Sequence, residues 1–438
     1  MDSVTLGLPL LSIYDPDGTG GTSIDPLGLT PLGEQLSVEL IPGVRERQSH
    51  PRYLTAIAVS HAICDEFPAD TVAADGVSEP WQVFEWYLVE GLVRSAASAP
   101  EANVPGSQKA EKAFRQGLPL SASRYLKTPT IFGFHGVYRL LARTLSVEQA
   151  DRLADFGFEL LDVWQKERGL NGFYGSGVGY GRNIRSILTE AVRKGLNLGE
   201  TTGSDGWSGW RFFFDHLDPT KAGPKESQLI WRKLESGTKG FRKEVLGFVV
   251  SKNGQNLFRT EGVTEKKLYS ALKRIASTEL RTRIETIQRY ENFCRLLLDA
   301  FEACRHDITQ TRRGVQPSRL GTISAVAKAA ELLPEAFITA EADFGQSTRG
   351  AQFRRTFLEV SQKRTATDFV MALFEHHKRV QKAKPPEGKT SWLEQHFDGS
   401  LLVRPEFRLD KAPRASGEFV NPYRLKSLNS FAVDLKQV

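Results

Sequence analysis

Several clusters in this sequence carry residue types that could do chemistry. His376, His377 and Lys378 offer the His-x-Lys core of a phospholipase D type nuclease. That chemistry also needs an aspartate at position 383, which is Ala383. Glu387-Gly388-Lys389 has the Glu-x-Lys lettering of restriction-type nucleases, in which carboxylates hold a metal and lysine stabilises charge on a strand pair. Here it follows Pro385-Pro386 and reads as loop. His306-Asp307, and Glu341 with Asp343, read as solvated or helix-end residues. Cys294 and Cys304 lie ten positions apart with His306 beyond, whereas zinc modules space their cysteines about two to four apart. The three cysteines suit a reducing compartment, and Cys294 and Cys304 read as buried thiols. No Gly-x-Ser-x-Gly, His-Glu-x-x-His or Cys-x-x-Cys is present, so no catalytic residue, metal ligand or cofactor is assigned and the balance leans against an enzyme.

Anion binding has three candidate settings. The glycines at 172, 175, 177, 179 and 181 precede a helical pattern over Asn183–Lys194 that carries Arg182 and Arg185 at its start. A helix N-terminus with glycine and arginine suits phosphate, yet no Walker lysine follows, and a mobile surface loop is the favoured reading. Trp207, Trp210, Phe212, Phe213 and Phe214 lie near Arg211; such rings can stack on unpaired bases, but core is favoured. The third setting is a predicted helix over Val263–Arg305, ~60 Å long at 1.5 Å per residue, carrying Lys273, Arg274, Arg281, Arg283 and Arg289, followed by Arg312 and Arg313. Glu265, Glu279, Glu285 and Glu291 allow intrahelical pairing instead. Lys378, Arg379 and Lys382 add the densest basic stretch. The candidate nucleic-acid contacts are therefore Arg182, Arg185, Lys273, Arg274, Arg281, Arg283, Arg289, Arg312, Arg313, Lys378, Arg379 and Lys382.

The elements that would position these residues are mostly helices. Apolar residues recur at helical spacing over His50–Phe67, with Tyr53, Ile57 and His61 on one face, and over Glu79–Ser98. Further helices are predicted over Phe132–Thr144, over Val147–Lys166 with Ser146 and Gln149 as a capping box, and near Thr322–Leu333 and Thr365–Gln381. Residues up to Gly43 read as an irregular leader, 96–110 as a linker. Trp392–Phe407 reads as a hairpin turning at Asp398-Gly399. The expected fold class is mainly α, multi-helical, with a small C-terminal β-hairpin. His135 among Tyr125, Phe132, Phe134 and Tyr138 reads as a hydrogen-bonded core histidine.

The formal charge of +6 is uneven. Residues 1–108 hold 15 acidic residues against four arginines, so the rest of the chain is strongly basic. This divides the chain into an acidic head (1–108), a basic helical body (111–310) and a C-terminal helical segment with the hairpin (320–438). Arg45, Arg47 and Arg52 supply most of the head's positive charge, and pairing with neighbouring carboxylates is favoured over phosphate contact. No apolar run approaches the ~18 residues of a membrane span, and no secretory leader is recognisable. A cytoplasmic setting without membrane contact follows.

Three stretches carry a resemblance: Asp25-Pro26-Leu27-Gly28-Leu29 with Ile41-Pro42-Gly43 and Arg52-Tyr53-Leu54; Arg124-Tyr125-Leu126 through Phe132–Tyr138; and His376-His377 through Trp392, Asp398-Gly399 and Tyr423-Arg424. In these the chain resembles a group of bacterial proteins associated with phage-defence and restriction gene neighbourhoods. The resemblance implies a context, not a mechanism. The leading expectation is a non-enzymatic, nucleic-acid-associated subunit of a bacterial antiviral defence or DNA-processing assembly, with DNA favoured over RNA and the acidic head meeting protein partners. The alternatives are a metal-dependent nuclease whose carboxylates come from distant segments, and a protein-interaction scaffold.

Overall fold

Helical periodicity is borne out along the chain. The computed structural model is 61% helical, about twice the ~30–35% of ordinary globular domains, with two short antiparallel strand pairs. The fold class is mainly α. The structure describes residues 25–95, 104–175, 177–237, 240–311, 313–384, 388–413 and 417–438. Among them no helix is long and apolar enough to cross a membrane. The described residues of Met1–Leu40 and Glu261–Tyr423 form one compact unit, and those of Ile41–Thr260 and Arg424–Val438 form a second. Each unit therefore draws on all three of the stretches distinguished by composition.

In the first unit, the helix Thr278–Thr309 packs along Ser324–Phe344. The expected single helix over 263–305 is broken. Glu265–Ile275 ends before Ala276, and Ser277 restarts the chain by accepting the Leu280 amide on its side chain. The leader is not all loop either, because Thr30–Leu40 is helical with Leu32, Leu36 and Leu40 buried. Gly33 in that helix lies against Asn421; a Cβ there would fall 2.4 Å from the Asn421 side chain. Ahead of the helix, the buried Asp25 carboxylate accepts the amides of Leu27, Gly28, Leu29 and Thr30. The hairpin forms where expected, Leu393–Gln395 against Leu401–Val403, with Gly399 at φ +81° in its turn.

In the second unit, the helix Tyr53–Cys64 is buried on every face rather than one, as an all-round apolar sequence requires of a central helix. Around it stand Pro80–Ser95, Phe134–Thr144, Asp155–Glu167 and Tyr180–Leu198. The linker over 96–110 is helical from Ser107; residues 96–103 lie outside the described residues. The helix expected over Val147–Lys166 starts only at Asp155. Residues Glu148–Gln149 and Arg152–Leu153 instead pair as a tight hairpin, with Ala150 at φ +48° and Asp151 at φ +59°. Two left-handed turn residues give the twist a two-residue hairpin favours, at a conformational cost for non-glycine residues. The Ser146–Gln149 capping box does not form, since Ser146 is also left-handed.

Candidate metal centre

That hairpin sets the position of Glu148. Its side chain is fully buried and meets two histidines on one oxygen. His61 Nε2 and His135 Nε2 each lie 3.1 Å from Glu148 Oε2. The three ligand atoms are all within 4.8 Å of one another. The other oxygen, Oε1, accepts Arg143 Nε at 3.1 Å and Arg139 Nε at 3.3 Å. A buried anion is thereby surrounded by four donors, which burial demands.

Each ligand is held by its own element. His61 comes from the last turn of the central helix, and its Nδ1 meets Asp65 Oδ1 at 3.1 Å across one helical turn. His135 sits in the first turn of Phe134–Thr144, whose amide at His135 donates to Glu85 Oε2 at 3.1 Å. Glu85 caps this helix start while Tyr125 donates to its other oxygen at 2.8 Å. Gly133 is glycine because a Cβ there would lie 1.9 Å from that carboxylate. Trp81 and His135 pack edge to face, with ring centres 4.6 Å apart. Arg139 and Arg143 are one turn apart on the same helix, so both reach the hairpin.

Electrostatics follow from this packing. Burial pushes Glu148 up, but hydrogen bonds from His135 and His61 outweigh it and hold the carboxyl well below its usual range. Burial disfavours a charged His61, yet its bonds to Asp65 and Glu148 raise it to about 9. Burial dominates at His135 and lowers it, with the charges of His61 and Arg139 acting the same way against Glu148. Burial raises Glu85 to about 8 despite the amide and Tyr125 bonds. His135 Nδ1 is buried and finds no hydrogen-bond partner among the described residues.

The expected polyanion contacts are not gathered into one such site. Lys273 pairs with Glu285 at 3.0 Å, Arg283 with Glu39 at 3.0 Å and Arg289 with Asp343 at 2.6 Å. Lys273 and Arg289 line a groove of about 540 Å³ together with Glu285, Gln288, Leu332 and Glu335. Arg281 is exposed and reaches the Ala276 carbonyl at 3.4 Å. Arg274, Arg313 and Lys382 are exposed. Arg312 lies outside the described residues, as does Glu387. Lys378 meets Glu375 at 3.7 Å, and Arg379 pairs with Glu359. In the second unit Arg182 is exposed and Arg185 lies 3.5 Å from Glu66.

Other candidates resolve as structure. Trp210, Phe212 and Phe213 are buried, so they are core rather than a base-stacking platform. Cys294 and Cys304 are buried free thiols. Asp307 pairs with Arg319, and Glu341 with Arg354. Arg52 forms a buried ion pair with Glu226, Nε to Oε1 at 3.0 Å, and donates to the His216 carbonyl at 2.7 Å.

Sequence reasoning singled out neither Glu148 nor Arg139 and Arg143, and placed His61 only as a helix-face residue. The histidines stand 87 and 13 positions from Glu148, a separation no local motif can encode. No protein family, curated protein or solved structure matches this chain.

Proposed function

We propose that this chain is a metal-binding protein whose divalent transition-metal ion is held by His61 Nε2, His135 Nε2 and Glu148 Oε2. The observation that carries the reading is the convergence of two imidazole nitrogens on one buried carboxylate oxygen. Two nitrogens and one oxygen suit zinc or ferrous iron better than magnesium or calcium, which prefer all-oxygen sets. The surroundings fit as well. Metal-bound histidines commonly lean on a carboxylate through the second ring nitrogen, as His61 does on Asp65, and metal-bound carboxylates are themselves hydrogen-bonded, as Glu148 is by two arginines. Coordination replaces the proton that His61 Nε2 now shares with Glu148, so binding releases protons.

The test is titration of the metal-stripped full chain with Zn²⁺ and, under anaerobic conditions, Fe²⁺. One ion per chain is expected, with binding lost in His135→Gln and Glu148→Gln and kept in His377→Gln. A folded wild-type chain that takes up neither ion would sink the reading.

A second reading, a nucleic-acid-associated subunit of a bacterial antiviral defence or DNA-processing assembly, is favoured by where the net charge pools. Met1–Leu40 with Glu261–Tyr423 carry 27 basic and 27 acidic residues, whereas Ile41–Thr260 with Arg424–Val438 carry 31 and 25. The excess positive charge belongs to the second unit, not to the long basic helix. Fluorescence anisotropy with single- and double-stranded DNA and RNA across a salt series is the measurement. Affinity falling steeply with salt is expected, and absence of binding at low salt removes this reading for the isolated chain.

A further inference from the structure

We propose that the metal centre and the guanidinium groups of Arg139 and Arg143 together form a site for a phosphate oxyanion. The inference rests on the metal reading and names the class of ligand the site takes.

The arginines do more than neutralise Glu148. Each uses its Nε–H on Glu148 Oε1, and each turns an Nη2 group onto a second, shared acceptor, Asp151 Oδ1. Arg143 reaches that oxygen at 2.6 Å. One arm of each guanidinium thus converges on a single exposed carboxylate oxygen while the other arm stays on Glu148, so two charged donors are already aimed at one anion position. Glu148 is the floor of this arrangement: its Oε2 faces the histidines and its Oε1 faces the forks, so metal and forks share one carboxylate.

Asp151 is the removable part. Its side chain is 65% exposed, while Arg139 and Arg143 are 31% and 46% exposed and Glu148 is not exposed at all. It stands at the tip of the two-residue turn with φ +59°, so its carboxylate leaves by side-chain rotation with the hairpin ladder intact. An oxyanion arriving from solvent meets two guanidinium groups presented outward. With three protein ligands on the ion, a tetrahedral shell keeps a position for an exogenous oxygen. A phosphate replacing the Asp151 carboxylate takes the two guanidinium arms, on the Oε1 side of the carboxylate whose Oε2 would hold the ion. Its chemistry is common to free inorganic phosphate and to the phosphodiester backbone of a nucleic acid, and the experiment separates the two.

The full chain is loaded with Zn²⁺, its metal content is measured, and it is titrated with inorganic phosphate by calorimetry and with a labelled single-stranded oligonucleotide by anisotropy. Asp151→Asn removes the internal competitor and should tighten the preferred ligand about tenfold, a difference of ~1.4 kcal/mol. Arg143→Lys keeps the charge but loses the fork, and should weaken the preferred ligand about tenfold when affinity is compared per bound zinc, the metal content of each preparation being measured. Preference for phosphate assigns a small-molecule site; preference for the oligonucleotide, competed by phosphate, assigns a backbone contact. Zinc-loaded protein that binds neither ligand, in wild type and in Asp151→Asn, overturns the proposal and leaves the metal reading standing. Protein that takes up no zinc is loaded with Fe²⁺ under anaerobic conditions and titrated in the same way, and protein that takes up neither ion overturns both.

Discussion

Two pairs of buried histidines, one in each unit, show how the same residue type is put to different use. In the first unit, His376 Nε2 donates to the Leu27 carbonyl at 2.9 Å, and His377 Nδ1 donates to the Pro26 carbonyl at 2.8 Å while its Nε2 accepts the Trp392 amide at 2.9 Å. Every partner there except Arg379, 3.4 Å from His376 Nδ1, is backbone. The pair satisfies main-chain groups that burial would otherwise orphan, and it holds residues 25–29 against the helix Ala366–Lys382. In the second unit, His61 and His135 converge on a side-chain carboxylate instead. Nitrogens spent on fixed carbonyls and amides are not free for an ion, whereas nitrogens facing a carboxylate can be offered to one together with it. What a buried histidine can do is decided by its partner, not by its burial.

This contrast breaks most sharply at Glu148. Glu148→Gln leaves Arg139, Arg143 and a protonated His61 without their common anion, and should cost the metal-free protein about 3–5 kcal/mol, the range for removing one member of a buried charged set. Urea denaturation monitors the loss. A change under 1 kcal/mol would mean that the cluster is not a coupled network.

Acid should act on the other pair. Burial lowers both His376 and His377 to about 4, below the ~6.5 of an unfolded histidine. Between these values the unfolded chain binds protons that the folded chain refuses, so stability is complete above about pH 6.5 and falls as pH drops toward 4. Each histidine contributes up to ~3 kcal/mol to that loss. Segment-resolved hydrogen exchange at pH 7 and pH 5 should show loosening of residues 25–40 and 366–382. His376→Gln should flatten the pH dependence by about one proton.

Zinc should sharpen the comparison in the opposite unit. At a free concentration 100-fold above Kd, binding to the native state alone adds ~2.7 kcal/mol. Slower exchange is expected around His61, His135 and Glu148, with the 25–40 and 366–382 segments unchanged. Uniform slowing across both units would place the ion elsewhere.

The smallest effects belong to the paired cations of the long helix. Arg283→Ala and Arg289→Ala break half-exposed ion pairs with Glu39 and Asp343 and should each cost under ~1 kcal/mol. Thermal melts resolve this, and a larger loss would show these pairs to be structural rather than solvated.

Much of the fold was legible because its causes are local. Apolar spacing marked the helices Tyr53–Cys64, Pro80–Ser95 and Ala366–Lys382 to within a few residues. The Asp398-Gly399 turn announced the hairpin, since glycine accepts the positive φ found there. Local pattern failed over 147–153, where the spacing of Leu153 with Phe156, Leu160 and Trp164 points to one helix but a strand pair forms ahead of Asp155, with the Glu148 carboxylate between His61 and His135. It failed again at the helix expected to run through 276–277, where a serine cap restarts the chain.

The amino-acid order by itself determined the helical class, the burial of Cys294 and Cys304 and the Asp398-Gly399 turn, because periodicity and backbone preference act over a few residues. Only tertiary structure decided the charge pairing and the candidate site. Glu39, read as part of an acidic head, accepts Arg283 and Arg349 from segments more than 200 positions away. Glu148, inconspicuous in sequence, became the meeting point of two histidines and two arginines. Ligand convergence and ion pairing depend on separation in space, and the sequence order of these groups carries no trace of it until the chain has packed.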